Sequence, residues 1–229
     1  MALPALSEII SEFTAIGDDN TGVLNPPVDL IVGGRANTCV HNYGEQRAYC
    51  WGDAERGALG VEAYEMANTS AVSFAVEVDG LDLKEPGGLT ARDDYTCAWG
   101  INGKEDEIWC WGAVPNNLDG ARWFAGQSID WAPKKLDDPR KDKPVYSVAA
   151  GSRHLCALVD IGMDKVALAC YGDNSRGQKG TPGEGNEGGF NAMWNADERP
   201  ISLVAGREHT CALVESRLSS DANRLVYCW

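Results

Sequence analysis

All eight cysteines of this chain belong to one pattern that occurs four times: a cysteine inside a short apolar run, a gap of hairpin length, then a second cysteine beside an aromatic residue. The copies read GRANTCV…AYCWG (34–52), RDDYTCAW…IWCWG (92–112), GSRHLCAL…LACYG (151–172) and GREHTCAL…VYCW (206–229). Their first cysteines, Cys39, Cys97, Cys156 and Cys211, are 58, 59 and 55 residues apart. Such a period marks a repeat architecture, in which one supersecondary unit is copied and each copy buries its apolar surface against the next. One central core built from the whole 229-residue chain is therefore not the expectation.

The units are β-sheet units. Apolar residues make up 44% of the chain, but they come in runs of about 4–6 broken by Gly, Asn, Asp and Pro, the punctuation of an all-β protein. The charge balance, 20 Lys and Arg against 34 Asp and Glu, gives −14, and no basic run tracks a phosphate backbone. Nucleic acid and anionic membrane surfaces are disfavoured as partners. No stretch reaches the roughly 18–20 apolar residues of a membrane span, so membrane insertion is not expected. The start, MALPALSEIISEF, carries acidic residues where a secretory leader carries positive charge. Residues 7–16 read either as a short amphipathic helix, capped by Ser7 and stopped at Gly17, or as the tail of a preceding repeat.

Pairing the two cysteines of each copy across a hairpin sets the register of the rest. Cys156 with Cys170 places Ala157 on Ala169, Leu158 on Leu168 and Val159 on Ala167, with the turn at Gly162-Met163-Asp164. Cys39 with Cys50 places Val40 on Tyr49 and His41 on Ala48, leaving Gly44-Glu45 as a two-residue loop. Cys211 with Cys228 places Ala212 on Tyr227 and Leu213 on Val226. Cys97 with Cys110 places Ala98 on Trp109, turning at Asn102-Gly103-Lys104. Directly opposed residues of an antiparallel pair lie within the roughly 4.4–6.8 Å Cα range that a disulfide spans, so each copy can hold its own bridge. Closing a loop of this size contributes on the order of 3 kcal/mol in the chain-entropy model. The alternative is four pairs of buried thiols in a reducing compartment. That every cysteine has a partner and none is left over favours disulfides.

A spaced glycine pattern follows the second cysteine of the first three copies: Gly52, Gly57, Gly60; Gly112, Asn117, Gly120; Gly172, Gly177, Gly180. These are positions for the left-handed backbone. Gly34, Gly151 and Gly206, five residues before a first cysteine, read as the same kind of position. Arg92 stands there in copy two, which is accordingly expected to be the most distorted.

Written as AG-x-x-H-[TL]-C-A-L, a hairpin, then [VA]-x-C-[WY]-G-x-N-x-x-G-Q, the pattern resembles the regulator of chromosome condensation repeat. Residues 149–158, 170–178 and 205–213 carry the match best, and the resemblance extends over about 26–229. It implies a β-propeller of four-stranded blades, seven in the family. Four repeats are present, about 26–83, 84–143, 144–198 and a truncated 199–229, behind an N-terminal segment of 1–25. The expected fold is thus an incomplete ring or a fragment of a seven-bladed propeller, which missing blades or a second chain would complete. Paired cysteines in each repeat are similar to exported bacterial and receptor-ectodomain members, which implies an extracellular, periplasmic or cell-surface location; the alternative is cytoplasm or nucleus. Tyr95 and Asn37 depart from the pattern where His154 and His209 follow it.

Chemistry-bearing constellations are sparse. His154 with Cys156 and His209 with Cys211 fall on one face of a strand, but zinc needs four converging donors and no CxxC spacing supplies them. Asp18, Asp19, Asp137, Asp138 and Glu184 lie in polar stretches without the spacing of a calcium loop. Nucleophile-elbow, phosphate-loop and HExxH motifs are lacking. No catalytic residue, metal ligand or cofactor is expected. Trp51, Trp111, Tyr171 and Trp229 recur in register and belong to the fold, whereas Trp123, Trp131 and Trp194 do not. Those three either cover an exposed apolar edge or anchor a partner. The reading is a non-catalytic recognition module that binds a protein, or a glycan, through loops on one face, with 121–147 and 181–200 as the long connections. The family label supplies the alternative, a guanine nucleotide exchange factor for a small GTPase.

Overall fold

The computed structural model describes residues 28–67, 69–81, 83, 85–102, 105–115, 127–136, 143–163, 165–180, 190–191, 194, 197–216 and 224–229. The expectations for 1–25 and for Trp123, Asn117 and Gly120 lie outside these residues. Within them the chain is nearly all β, with one turn of 3-10 helix at Glu55–Gly57 and one short helix, α1 (Ala63–Ala67).

Four antiparallel sheets follow one another along the sequence. Blade 1 is β1 (Leu30–Gly33), β2 (Asn37–Asn42), β3 (Arg47–Asp53) and β4 (Ala71–Glu77); blade 2 is β5 (Glu85–Arg92), β6 (Tyr95–Asn102), β7 (Glu105–Pro115) and β8 (Gln127–Lys135). Blade 3 is β9 (Val145–Ala150), β10 (His154–Gly162), β11 (Lys165–Gly172) and β12 (Phe190–Asn191). Blade 4 is β13 (Glu198–Ala205), β14 (Thr210–Ser216) and β15 (Arg224–Cys228). Strands pair in sequence order inside each blade, and β5 lies against both β1 and β9, and β9 against β13. The first strands line the inside of an arc, and the sheets radiate outward from them as in a β-propeller.

The cysteines pair as the hairpin register requires. Cys39–Cys50, Cys97–Cys110, Cys156–Cys170 and Cys211–Cys228 are each bonded within their own hairpin, with Cα atoms 4.1 Å apart. Ala157 faces Ala169, Leu158 faces Leu168, Val40 faces Tyr49, Ala98 faces Trp109 and Leu213 faces Val226.

Strand alternation gives each sheet two faces, and consecutive blades press unlike faces together. Side chains of the cysteine rows project toward the following blade. Residues one position away project toward the preceding one. Between blades 1 and 2, Cys39, Ala48 and Cys50 meet Leu89, Ala98 and Trp111. Between blades 2 and 3, Cys97, Ile108 and Cys110 meet Val148, Ala157 and Tyr171. Between blades 3 and 4, Cys156, Leu158, Leu168 and Cys170 meet Leu203, Ala212 and Val214. Small residues at the centre of the hairpin let neighbouring sheets approach, which is why alanine recurs after the first cysteine.

Turns depart from the expectations in three places. The blade 1 hairpin closes at Asn42 and Arg47, so its loop is the four residues 43–46 rather than Gly44-Glu45. Asn42 Oδ1 accepts the Glu45 amide at 3.0 Å, and Gln46, not Gly44, takes positive φ. An asparagine side chain here supplies the turn that a glycine was expected to make. Second, Gly34, Gly151 and Gly206 do not have positive φ. A Cβ at Gly151 would lie 2.0 Å from His154 Cε1, one at Gly206 would lie 2.1 Å from His209 Cε1, and one at Gly34 would lie 2.2 Å from Asn37 Oδ1. These positions need glycine because the side chain three residues on folds across them. Third, Arg92 does not distort blade 2. Tyr95 turns its ring into the next blade, Asp93 takes the left-handed turn at φ +49, and the four strands stay in register apart from bulges at 86/88 and 110/112. The glycine after the second cysteine behaves as expected. Gly52, Gly112 and Gly172 have φ of +109, +92 and +94, and a Cβ there would sit 2.2–2.4 Å from a carbonyl oxygen of the neighbouring turn.

Candidate functional site

Positioned polar groups gather at the buried junctions between blades and along the groove inside the first strands. The junctions are built from the residue two before each first cysteine. Tyr95 Oη donates to the Gly151 carbonyl of blade 3 at 2.6 Å. Burial pushes its phenol well above the usual range. His154 Nε2 lies 2.9 Å from Thr210 Oγ1 of blade 4, while Thr210 donates to the Gln178 carbonyl at 3.0 Å. Since that hydroxyl hydrogen is already used, Nε2 carries the imidazole proton, and Nδ1 is buried with no partner. Burial holds His154 down, to about 4. His41, buried against blade 2 with neither ring nitrogen bonded, is held to about 4 for the same reason. Asn37 instead bonds within its own blade, to the Ala58 carbonyl at 3.3 Å.

At the rim above these junctions, charged side chains tie blade to blade. Arg35 and Arg56 both engage Asp94, at 3.0 and 2.8 Å, and Arg176 reaches Glu208 at 4.0 Å in the equivalent place between blades 3 and 4. The first is a partly buried clasp. The second is exposed and weak.

Inside the arc a groove of about 460 Å³ is lined by Leu30, Leu89, Thr90, Trp99, Ser147 and Ser202 among others, and no titratable side chain lines it among the described residues. Thr90 Oγ1 accepts the Ala150 amide and Ser147 Oγ the Leu203 amide, each at 3.1 Å, so their hydroxyls serve as links between adjacent first strands. Trp99 fills the groove floor against Gly87 and Gly88, where a Cβ would lie 2.7 and 2.3 Å from its indole. Sequence reasoning did not single out Trp99 or these hydroxyls, since nothing in the linear pattern marks a residue as facing the axis.

Of the out-of-register tryptophans, Trp131 and Trp194 stand in different blades and are not brought together, and Trp123 lies outside the described residues. Trp131 is half-buried on β8, its backbone beside the Gly57 turn of blade 1. Trp194 stands between β12 and β13 and packs on Tyr227 and Trp229, with ring centroids 5.9 and 6.3 Å away, at the margin of the blade 3–4 core. It covers that edge. The cysteines of the His-x-Cys pairs are spent in disulfides, and no group of three metal-ligating side chains occurs among the described residues.

A regulator of chromosome condensation (RCC1) repeat is matched over residues 145–178. Those residues run from β9 through the blade 3 hairpin and into the glycine turn beyond it. The match covers the repeat that forms blade 3. The other three sheets share the repeat's strand order and cysteine register. Among solved structures the chain is similar to human WBSCR16, with 14% identity and a TM-score of 0.66 over 92% of this chain and 49% of that one. It also aligns with the ectodomain of the Physcomitrella patens receptor kinase CR4 (19% identity, TM-score 0.45, 89% and 42% covered). A third alignment is to the ectodomain of the Arabidopsis thaliana receptor kinase ACR4 (15%, 0.47, 90% and 52%). The chain spans about half the length of these structures. Comparison with the curated proteins finds no match.

Proposed function

We propose that this repeat array is a non-catalytic recognition module that binds a protein partner through the loops at one end of its blades. The groove supports this reading most directly: among the described residues its lining is apolar side chains and hydroxyls, which suit contact with a partner better than proton transfer or nucleophilic attack. Such a surface offers shape and contact area on a scaffold whose sheets are individually stapled. Long connections on a rigid scaffold are where repeat proteins place their specificity. Four disulfides favour an oxidising compartment, outside the cell, in a periplasm or on a cell surface.

The test is affinity capture with two baits, the unmodified chain and a variant in which 181–189 is replaced by a short Gly-Ser linker. The expected result is a protein retained by the first and lost by the second, at unchanged melting temperature. Equal capture by both, or stimulated nucleotide release from a panel of small GTPases, contradicts the reading.

A further inference from the structure

The junctions between blades 1 and 2, 2 and 3, and 3 and 4 differ in what a proton does to the residues that fill them. Opposite the glycine that follows each second cysteine stand Asn37, Tyr95 and His154. Two residues after each first cysteine stand His41, Trp99 and Leu158, opposing Ala48, Ile108 and Leu168. An imidazole therefore enters the first junction at the second of these positions, and the third junction at the first. The middle junction receives a phenol and an indole. His41 and His154 are turned to the other junctions, and His209 is exposed on blade 4.

Neither imidazole has a place for an added proton. The His154 ring lies against Gly151, its Nε2 is spent on Thr210 Oγ1, and its buried Nδ1 has no partner. Thr210 and Trp229 Nε1 of blade 4 both donate to the Gln178 carbonyl of blade 3, at 3.0 and 2.7 Å, so that acceptor is taken. Burial opposes charging of the ring most, Asp173 from the turn after β11 favours it, and His209 from blade 4 and Arg92 at the end of β5 oppose it. His41 is 1% exposed, and neither of its ring nitrogens is bonded. Burial opposes its charging, Asp29 ahead of β1 favours it, and the Tyr43 ring lies 5.5 Å away. In the middle junction Tyr95 Oη donates to the Gly151 carbonyl, and the Trp99 indole nitrogen is a donor only; neither takes up a proton in mild acid.

We propose that acid parts blade 1 from blade 2 and blade 4 from blade 3, each blade keeping its own disulfide, while blades 2 and 3 stay docked. A ring charged where no acceptor is free leaves its junction for water, and the apolar surfaces around it separate. Closed, both imidazoles are held to about 4 against an ordinary 6.5, so the open form binds protons that the closed form refuses. Opening is thus suppressed above pH 6.5 and promoted as pH falls below it, the open-to-closed ratio of each outer junction rising roughly fiftyfold between pH 7 and 4.5. The array becomes hinged at two places and rigid between them. This device stands independently of the recognition role proposed above.

Residue-resolved amide hydrogen exchange tests it, because each junction has an amide bonded across it: Arg35 to the Asp93 carbonyl, Ala150 to Thr90 Oγ1 and Leu203 to Ser147 Oγ. In the unmodified chain, after correction for the chemical exchange rate, protection at Arg35 and Leu203 is expected to fall roughly fiftyfold between pH 7 and 4.5, while that at Ala150 holds. His154→Gln keeps a donor for Thr210 and is expected to abolish the fall at Leu203 but not at Arg35. His41→Leu, which installs the residue that Leu158 and Leu213 supply in blades 3 and 4, is expected to do the reverse. An equal fall at all three amides, protection independent of pH at Arg35 and Leu203, or a fall at Leu203 that survives His154→Gln overturns the proposal. The comparison of the three amides in the unmodified chain decides the matter even if a variant fails to fold.

Discussion

Blade 3 and blade 4 carry nearly the same residues on their cysteine faces, yet one face is interior and the other is surface. His154 and His209, Cys156 and Cys211, Ser147 and Ser202 are register equivalents. In blade 3 each is enclosed and bonded or packed against blade 4. In blade 4 the same side chains meet no following sheet among the described residues. Local sequence therefore sets strand, register and staple, but the neighbour sets the energetics. The comparison separates what a repeat does alone from what it does only in an array.

Truncating equivalent apolar positions breaks the comparison most sharply. Leu168 and Val226 each oppose the residue two after a first cysteine, and only Leu168 is buried. Leu168→Ala is expected to cost about 2–5 kcal/mol, and Val226→Ala of the isolated chain less than about 0.5 kcal/mol, read from urea unfolding midpoints. Equal effects would mean that blade 4 is covered in solution.

Acid sharpens it next. The imidazole of His154 has an ordinary value of 6.5 and is held by burial to about 4. Between those values the unfolded chain binds a proton that the folded chain refuses. Its contribution is complete above pH 6.5 and declines as pH falls to 4, by on the order of 3 kcal/mol. His41 behaves likewise. Replacing His154 with Gln should make the loss of stability between pH 6.5 and 4 shallower, leaving the part that His41 contributes.

The smallest effect concerns glycine. A Cβ at Gly151 collides with an imidazole locked in a junction, whereas at Gly206 it meets one free to swing into solvent. Gly151→Ala is expected to cost about 1–3 kcal/mol, and Gly206→Ala a fraction of that, by thermal denaturation.

Much of this architecture was legible in the chain. The cysteine spacing fixed each hairpin's register because opposed positions in a strand pair are counted, not inferred, and the alanines beside the cysteines signalled tightly apposed sheets. What escaped was anything decided by a through-space neighbour. Gly151 looked like a left-handed turn, because the reach of His154 across it is invisible in one dimension. Gln46 took the turn expected of Gly44, since Asn42 supplied the hydrogen bond. Trp99 showed no sign that it faces the axis, and Trp194 gave no sign that Tyr227 and Trp229 would receive it. The groove emerges only when first strands from separate repeats are laid side by side.

Peptide mapping of the non-reduced protein tests the central claim, that every blade is a self-clasped hairpin unit. Four cross-linked species are expected, joining Cys39 to Cys50, Cys97 to Cys110, Cys156 to Cys170 and Cys211 to Cys228, with no thiol open to alkylation. Bridges that run between repeats, or eight alkylated cysteines in protein recovered from its native compartment, would contradict it.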